Sequence, residues 1–190
     1  VDVDVVCPRS VYDSVHRASR EAGIIRAEHS FFRVLERKDS RRYFGAERGN
    51  AHFSLLPLEE VERQFREYDD VWLWVWRHAR VIADPGRQFQ RIVEGFGGYP
   101  AEVLLQKIKY RWLLSAYSAI TFYPHNHSEE DELLPAATAL VNAVNDLLRV
   151  FFLVEGEPFP YTQKLMALAR QTKLGECFCP MLQQVVDLVV

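Results

Sequence analysis

The chain opens with Val1-Asp2-Val3-Asp4-Val5-Val6, followed by Cys7-Pro8. Carboxylates alternating with β-branched residues have the period of a β-strand, so Asp2 and Asp4 project from the same face. Two like charges held that close repel each other. A divalent cation between them relieves the repulsion. Mg²⁺ favours such carboxylate oxygens, with phosphate oxygens completing its shell. The other reading of the same residues is an edge strand whose acids face water, because D-x-D is a short pattern.

Other residues could also carry chemistry. His125-Asn126-His127 beside Glu129, Glu130 and Asp131 has a spacing that can ligate zinc, or it is a solvated loop ahead of a capped helix. Cys177-Phe178-Cys179 is a redox or metal pair, or two ordinary thiols. Three cysteines without zinc-finger spacing fit a reducing compartment, and the expected localisation is cytoplasmic. Lys164 stands near a helix start after Pro160-Tyr161, where the helix dipole does not favour a cation. That placement points to a ligand contact or an ion pair. Trp72, Trp74 and Trp76 are packing residues or a stacking platform for a base.

The elements that must position these residues fall into two regimes. Residues 1–57 mix strands, a helix and turns: the opening strand, a helix through Tyr12 to Ala18 ending near Gly23, strands at Ser30–Arg37 and Arg42–Gly45, and an alternating strand Ala51–Leu56 that stops at Pro57. From Leu58 onward apolar residues recur every three or four positions. Glu59, Glu60 and Glu62 mark a helix start over Leu58–Tyr68. The Trp-rich stretch reads as helix because of its flanks, although its alternation also suits a strand. Asp84-Pro85-Gly86 opens a short helix, Gly95–Gly98 is a hinge, and Pro100 opens a long helix through Leu104, Ile108, Trp112 and Tyr117. Ser128 caps a helix extending to Val154, Pro160 begins another, and Met181–Val190 starts a last one. The expectation is an α+β chain: a partial α/β core at 1–57 and an all-α antiparallel helical bundle at 58–190, with Trp112, Phe151, Phe152 and Leu165 inside the bundle.

With 48% hydrophobic and 26% charged residues, the composition is that of a globular protein. A net charge of -3 gives no overall basic character for nucleic-acid binding. No apolar run reaches the length needed to cross a bilayer, and the longest apolar stretch, Leu147 to Val154, is interrupted by Arg149, so no membrane span is expected.

Four places together resemble the nucleotidyltransferases of the DNA polymerase β superfamily, specifically antibiotic-nucleotidyltransferase-like proteins with a C-terminal helical domain. Val1–Val6 resembles the D-x-D strand. Phe53–Val61 resembles the later core strand running into its helix. Ala79–Gly86 resembles the A-x-h-h-h-D-P-x-G link. Leu147–Phe152 followed by Pro158–Leu165 resembles the bundle helix and its P-Y-x-x-K-h turn. The resemblance implies that Asp2 and Asp4 hold Mg²⁺ on a nucleoside triphosphate while an acceptor hydroxyl attacks the α-phosphorus and pyrophosphate leaves. It implies an acceptor site near Glu155, Glu157, Tyr161 and Lys164, with Lys164 holding anionic groups. The acceptor itself is not readable.

Two departures stand out. The family's Gly-Ser turn should precede the D-x-D strand, so the chain is expected to be a piece of a longer protein. The third carboxylate should stand on Ala51–Leu56, where His52 and Ser54 occupy the plausible positions and Glu47 is the nearest substitute. A catalytically degenerate member that only binds nucleotide, and a helical interaction module in which the acids have no role, are the alternatives.

Overall fold

A computed structural model of the chain describes residues 2–21, 31–35, 51–122 and 133–187. The strand expected at Arg42–Gly45, the helix end near Gly23, the Ser128 cap, Glu47 and the His125/His127 pair lie outside the described residues. The protein is α+β, with two compact units. One comprises Val1–Glu67 and Val81–Gly95, the other Tyr68–Arg80 and Phe96–Val190. The first unit therefore runs past the Pro57/Leu58 boundary drawn from the sequence.

In the first unit, β1 (Asp2–Cys7) leads into α1 (Arg9–Glu21), followed by β2 (Phe31–Leu35) and β3 (Ala51–Pro57). The sheet order is β1-β3-β2, with β3 central. β1 runs parallel to β3, pairing Asp2 with His52 and Asp4 with Ser54. β2 runs antiparallel to β3. Pro57 ends β3 and stands at the N-cap of α2 (Leu58–Arg66), which buries Val61, Gln64 and Phe65 and carries Glu59 and Glu60 in its first turn. The Asp84 carboxylate accepts from the backbone N–H groups of Gln88 (3.0 Å) and Gln90 (2.9 Å), and so caps α4 (Gln88–Glu94).

The second unit begins with α3 (Asp70–His78), capped by Asp69, whose side chain accepts from Trp72 N–H at 3.3 Å. The Trp alternation resolves as helix. Trp72 stacks on Trp76 (5.4 Å between ring centroids) and Trp74 on His78 (4.4 Å), both pairs four residues apart on one helix face. Then come α5 (Ala101–Tyr117), continued by a π-helical stretch Ser118–Phe122, and α6 (Leu133–Val154), α7 (Thr162–Ala169) and α8 (Lys173–Asp187). The core gathers Val144, Leu148, Phe151, Phe152, Leu153, Phe159, Leu165, Ala169 and Cys179. Phe151, Phe152 and Leu165 are buried as expected.

Trp112 is not buried; it is 59% exposed. Helix α5 is apolar on two faces, and periodicity cannot say which one turns inward. The inward face is the one with Leu104 and Ile108 against the core, and Ser115, whose hydroxyl donates to the Ala143 carbonyl at 2.8 Å. The last helix starts at Lys173 rather than Met181 and carries Pro180 inside it. Close packing of Gly175 on the Ala169 carbonyl and burial of Cys179 anchor it in spite of the proline. Leu134–Val154 of α6 is long and apolar enough to cross a membrane by length and composition, contrary to the reading from uninterrupted runs. It is the core helix of this unit, with half of its length buried.

Candidate functional site

Strand β1 places Asp2 and Asp4 two positions apart. Asp4 is exposed, and its carboxylate accepts a hydrogen bond from the Ser54 hydroxyl across the parallel ladder. Ser54 thus stands beside Asp4 at one of the two positions where a third acid was sought; His52 stands opposite Asp2 in the backbone register. The chemistry of this set is a carboxylate and a hydroxyl, both hard oxygen donors suited to Mg²⁺. Among the described residues no group of three His, Cys, Asp or Glu side chains could hold a metal ion.

The other assigned residues lie in the second unit, on the turn after α6 and the start of α7. The Glu155 carboxylate accepts from the backbone N–H of Lys173, capping α8. Glu157 forms an ion pair with Arg77 at 2.5 Å, and the Arg77 guanidinium also lies over the Phe96 ring (5.7 Å). Tyr161 is the N-cap residue of α7 and meets the edge of Trp74 at 6.2 Å. The ammonium of Lys164 is 5.4 Å from the Tyr161 ring and 5.7 Å from the Trp74 ring. That pair of rings gives the cation a physical reason to sit at a helix start, since an aromatic face attracts it. Glu155, Glu157, Tyr161 and Lys164 therefore share one stretch of the second unit, with both glutamates engaged by partners of that unit.

Two charged networks were not singled out from the sequence. Asp70, buried at the start of α3, accepts from the Tyr99 hydroxyl (2.6 Å) and from Lys107 Nζ (2.7 Å), which also donates to the Tyr68 carbonyl (2.7 Å). Tyr68 has a left-handed φ of 54°, and its ring meets Phe96 and Tyr99. Burial, and then the Asp70 charge, push the Tyr99 phenol far above its ordinary range. In the second network Asp146 accepts from Arg111 (3.0 Å) and Arg149 (2.8 Å), with both guanidiniums over the Phe159 ring (5.4 and 5.6 Å). Arg149 Nε is buried and finds no acceptor among the described residues. The available signal was a charge embedded in an apolar run: Asp146 and Arg149, three apart, interrupt the most apolar helix of the chain.

Fold and site thus define an α+β protein with a small mixed sheet and a helical unit in which an apolar core is flanked by part-buried ion pairs. Residues 65–165 match a family described as a domain of unknown function, DUF4037, and the chain belongs to that family. No curated protein and no solved structure matches it. The matched segment holds both charged networks and Glu155, Glu157, Tyr161 and Lys164, whereas Asp2 and Asp4 lie outside it.

Proposed function

We propose that the protein is nucleotidyltransferase-like and transfers a nucleoside monophosphate from a nucleoside triphosphate to an acceptor hydroxyl, with Asp2 and Asp4 as the residues that would hold Mg²⁺. The observation that supports this most is the parallel β1–β3 ladder. It sets the D-x-D strand directly beside the strand on which the resemblance calls for a third acid, and Ser54 reaches Asp4 there. When bound, Mg²⁺ would neutralise triphosphate charge and favour displacement at the α-phosphorus. Lys164 and Tyr161, a cation and a phenol at the start of α7, are the proposed acceptor contacts, and a cytoplasmic location goes with the free thiols.

A second reading is nucleotide binding without turnover. Ser54 and His52 favour it: a serine and a histidine stand opposite Asp4 and Asp2, so the strand supplies no third carboxylate.

Calorimetric titration with a nucleoside triphosphate, with and without Mg²⁺, tests both. Mg²⁺-dependent binding that disappears in Asp2→Asn/Asp4→Asn supports the nucleotide site, and binding unchanged by that double substitution refutes it. Pyrophosphate release in the presence of a hydroxyl acceptor distinguishes transfer from binding alone.

A further inference from the structure

The contacts around Arg149 leave part of its guanidinium unused. Its Nη1 donates to Asp146 Oδ1 at 2.8 Å, the same oxygen that Arg111 reaches at 3.0 Å. One carboxylate thus answers two guanidiniums, and the cluster keeps an excess positive charge. Water screens that charge only in part, since the side chains of Arg111, Asp146 and Arg149 are 26%, 10% and 21% exposed. The buried Phe159 ring, over which both guanidiniums lie, attracts the cations but brings no negative charge. An uncompensated charge in such surroundings is costly.

The excess has a direction. The Nε–H and one Nη2–H of an arginine point the same way along one edge of the planar group, and that edge can take two oxygens of an oxyanion side by side. In Arg149 this edge has no charged partner among the described residues. Nε is buried without an acceptor, and Nη2 meets the Thr162 hydroxyl at a long 3.3 Å. Thr162 is exposed and is the first residue of α7, whose N-cap residue Tyr161 makes no side-chain cap. The N–H groups of a first helical turn lack intrahelical acceptors and carry the positive end of the dipole. A two-donor fork, a hydroxyl and a helix start approach from different directions, which suits a tetrahedral oxyanion. Rotating the Thr162 side chain about one bond opens the edge.

We infer that Arg149, Thr162 and the start of α7 bind a phosphate group, with Arg111 and Asp146 fixing the other end of the Arg149 guanidinium. The site lies wholly in the second unit and uses neither Asp2 nor Asp4, so it goes beyond the proposed metal chemistry.

Calorimetric titration of the whole protein with inorganic phosphate, against chloride at equal ionic strength, is the test. Saturable binding is expected. Arg149→Lys keeps a cation beside Asp146 but removes the two-donor edge, and should weaken binding about tenfold. Thr162→Glu puts a carboxylate on that edge. It should abolish phosphate binding and raise the melting temperature more than Gln163→Glu, which shares the helix dipole one position on. Asp2→Asn/Asp4→Asn should leave phosphate binding unchanged, whatever becomes of Mg²⁺-dependent nucleotide binding. A nucleoside monophosphate without Mg²⁺ distinguishes the sources: tighter binding than inorganic phosphate assigns the group to a nucleotide or a phosphorylated acceptor, and equal binding assigns a free oxyanion. No binding beyond the chloride control would overturn the inference and leave the arginines a structural role. So would binding that both Arg149→Lys and Thr162→Glu leave intact, or that the Asp2/Asp4 double variant removes.

Discussion

Replacing Lys107 by methionine tests whether the Asp70 network holds the second unit together. The Asp70 side chain is only 9% exposed and that of Lys107 23%. Lys107 Nζ satisfies both the Asp70 carboxylate and the carbonyl of Tyr68, a residue in left-handed backbone geometry. Methionine keeps the apolar stem and removes the ammonium. The Asp70 charge then remains buried with the Tyr99 hydroxyl as its described side-chain donor. Removing one partner of a buried pair costs about 3–5 kcal/mol. Lys107 is partly open to water, which can take its place, so the lower end, about 3 kcal/mol, applies here. Asp70→Asn in the same background removes the stranded charge. The double variant should therefore be less destabilised than the sum of the two singles, by about 1–3 kcal/mol of coupling. Urea unfolding followed by tryptophan fluorescence measures all four members of the cycle, because Trp72, Trp74 and Trp76 lie on the same helix as Asp70. A Lys107→Met cost below about 1 kcal/mol, in the range of exposed ion pairs, would refute the reasoning. Strict additivity of the two singles would do the same.

Gly175→Ala should destabilise the second unit by about 3 kcal/mol or more, since the added Cβ would collide with the Ala169 carbonyl and only backbone movement could relieve it; urea denaturation would show this, and a neutral result would mean that α8 shifts freely. In the native protein an alkylating reagent should label exposed Cys177 quickly. Cys179, which is buried and whose thiol is pushed up by burial, should react only on unfolding, as peptide mass spectrometry would reveal. Glu60 is held below the ordinary carboxylate range, first by its hydrogen bond from Arg63. Its contribution is thus present above the unfolded-state value and lost as pH falls through the lower folded-state value. Glu60→Gln should flatten the acid limb of a stability-versus-pH curve, and an unaltered limb would count against the Arg63 contact.

Much of the local structure was readable because it depends on neighbours along the chain. Alternating valines made β1, Pro57 ended β3, Asp84 capped α4, and three- and four-residue apolar spacing marked α6 and α7 with Phe151, Phe152 and Leu165 on the inward side. The D-x-D pair and its empty third-acid position were also visible as residue types on strands. The Trp stretch was ambiguous until the helix placed Trp72 over Trp76 and Trp74 over His78, because alternation fits a strand and a buried helix alike.

What tertiary structure alone decided was which of two equivalent local choices won. Trp112 turned outward because α5 offered two apolar faces, and packing of Leu104, Ile108 and Ser115 selected between them. The pairing of β1 with β3 rather than β2, which brings Ser54 to Asp4, joins residues fifty positions apart that no local period relates. Asp70 met Tyr99 and Lys107 across 29 and 37 positions, and Lys164 met Trp74 across a longer separation still. Propensity and periodicity act over a turn or a strand. Contacts between distant segments are settled by which burial satisfies the most apolar surface and leaves the fewest charges unpaired, and a one-dimensional pattern does not contain that comparison.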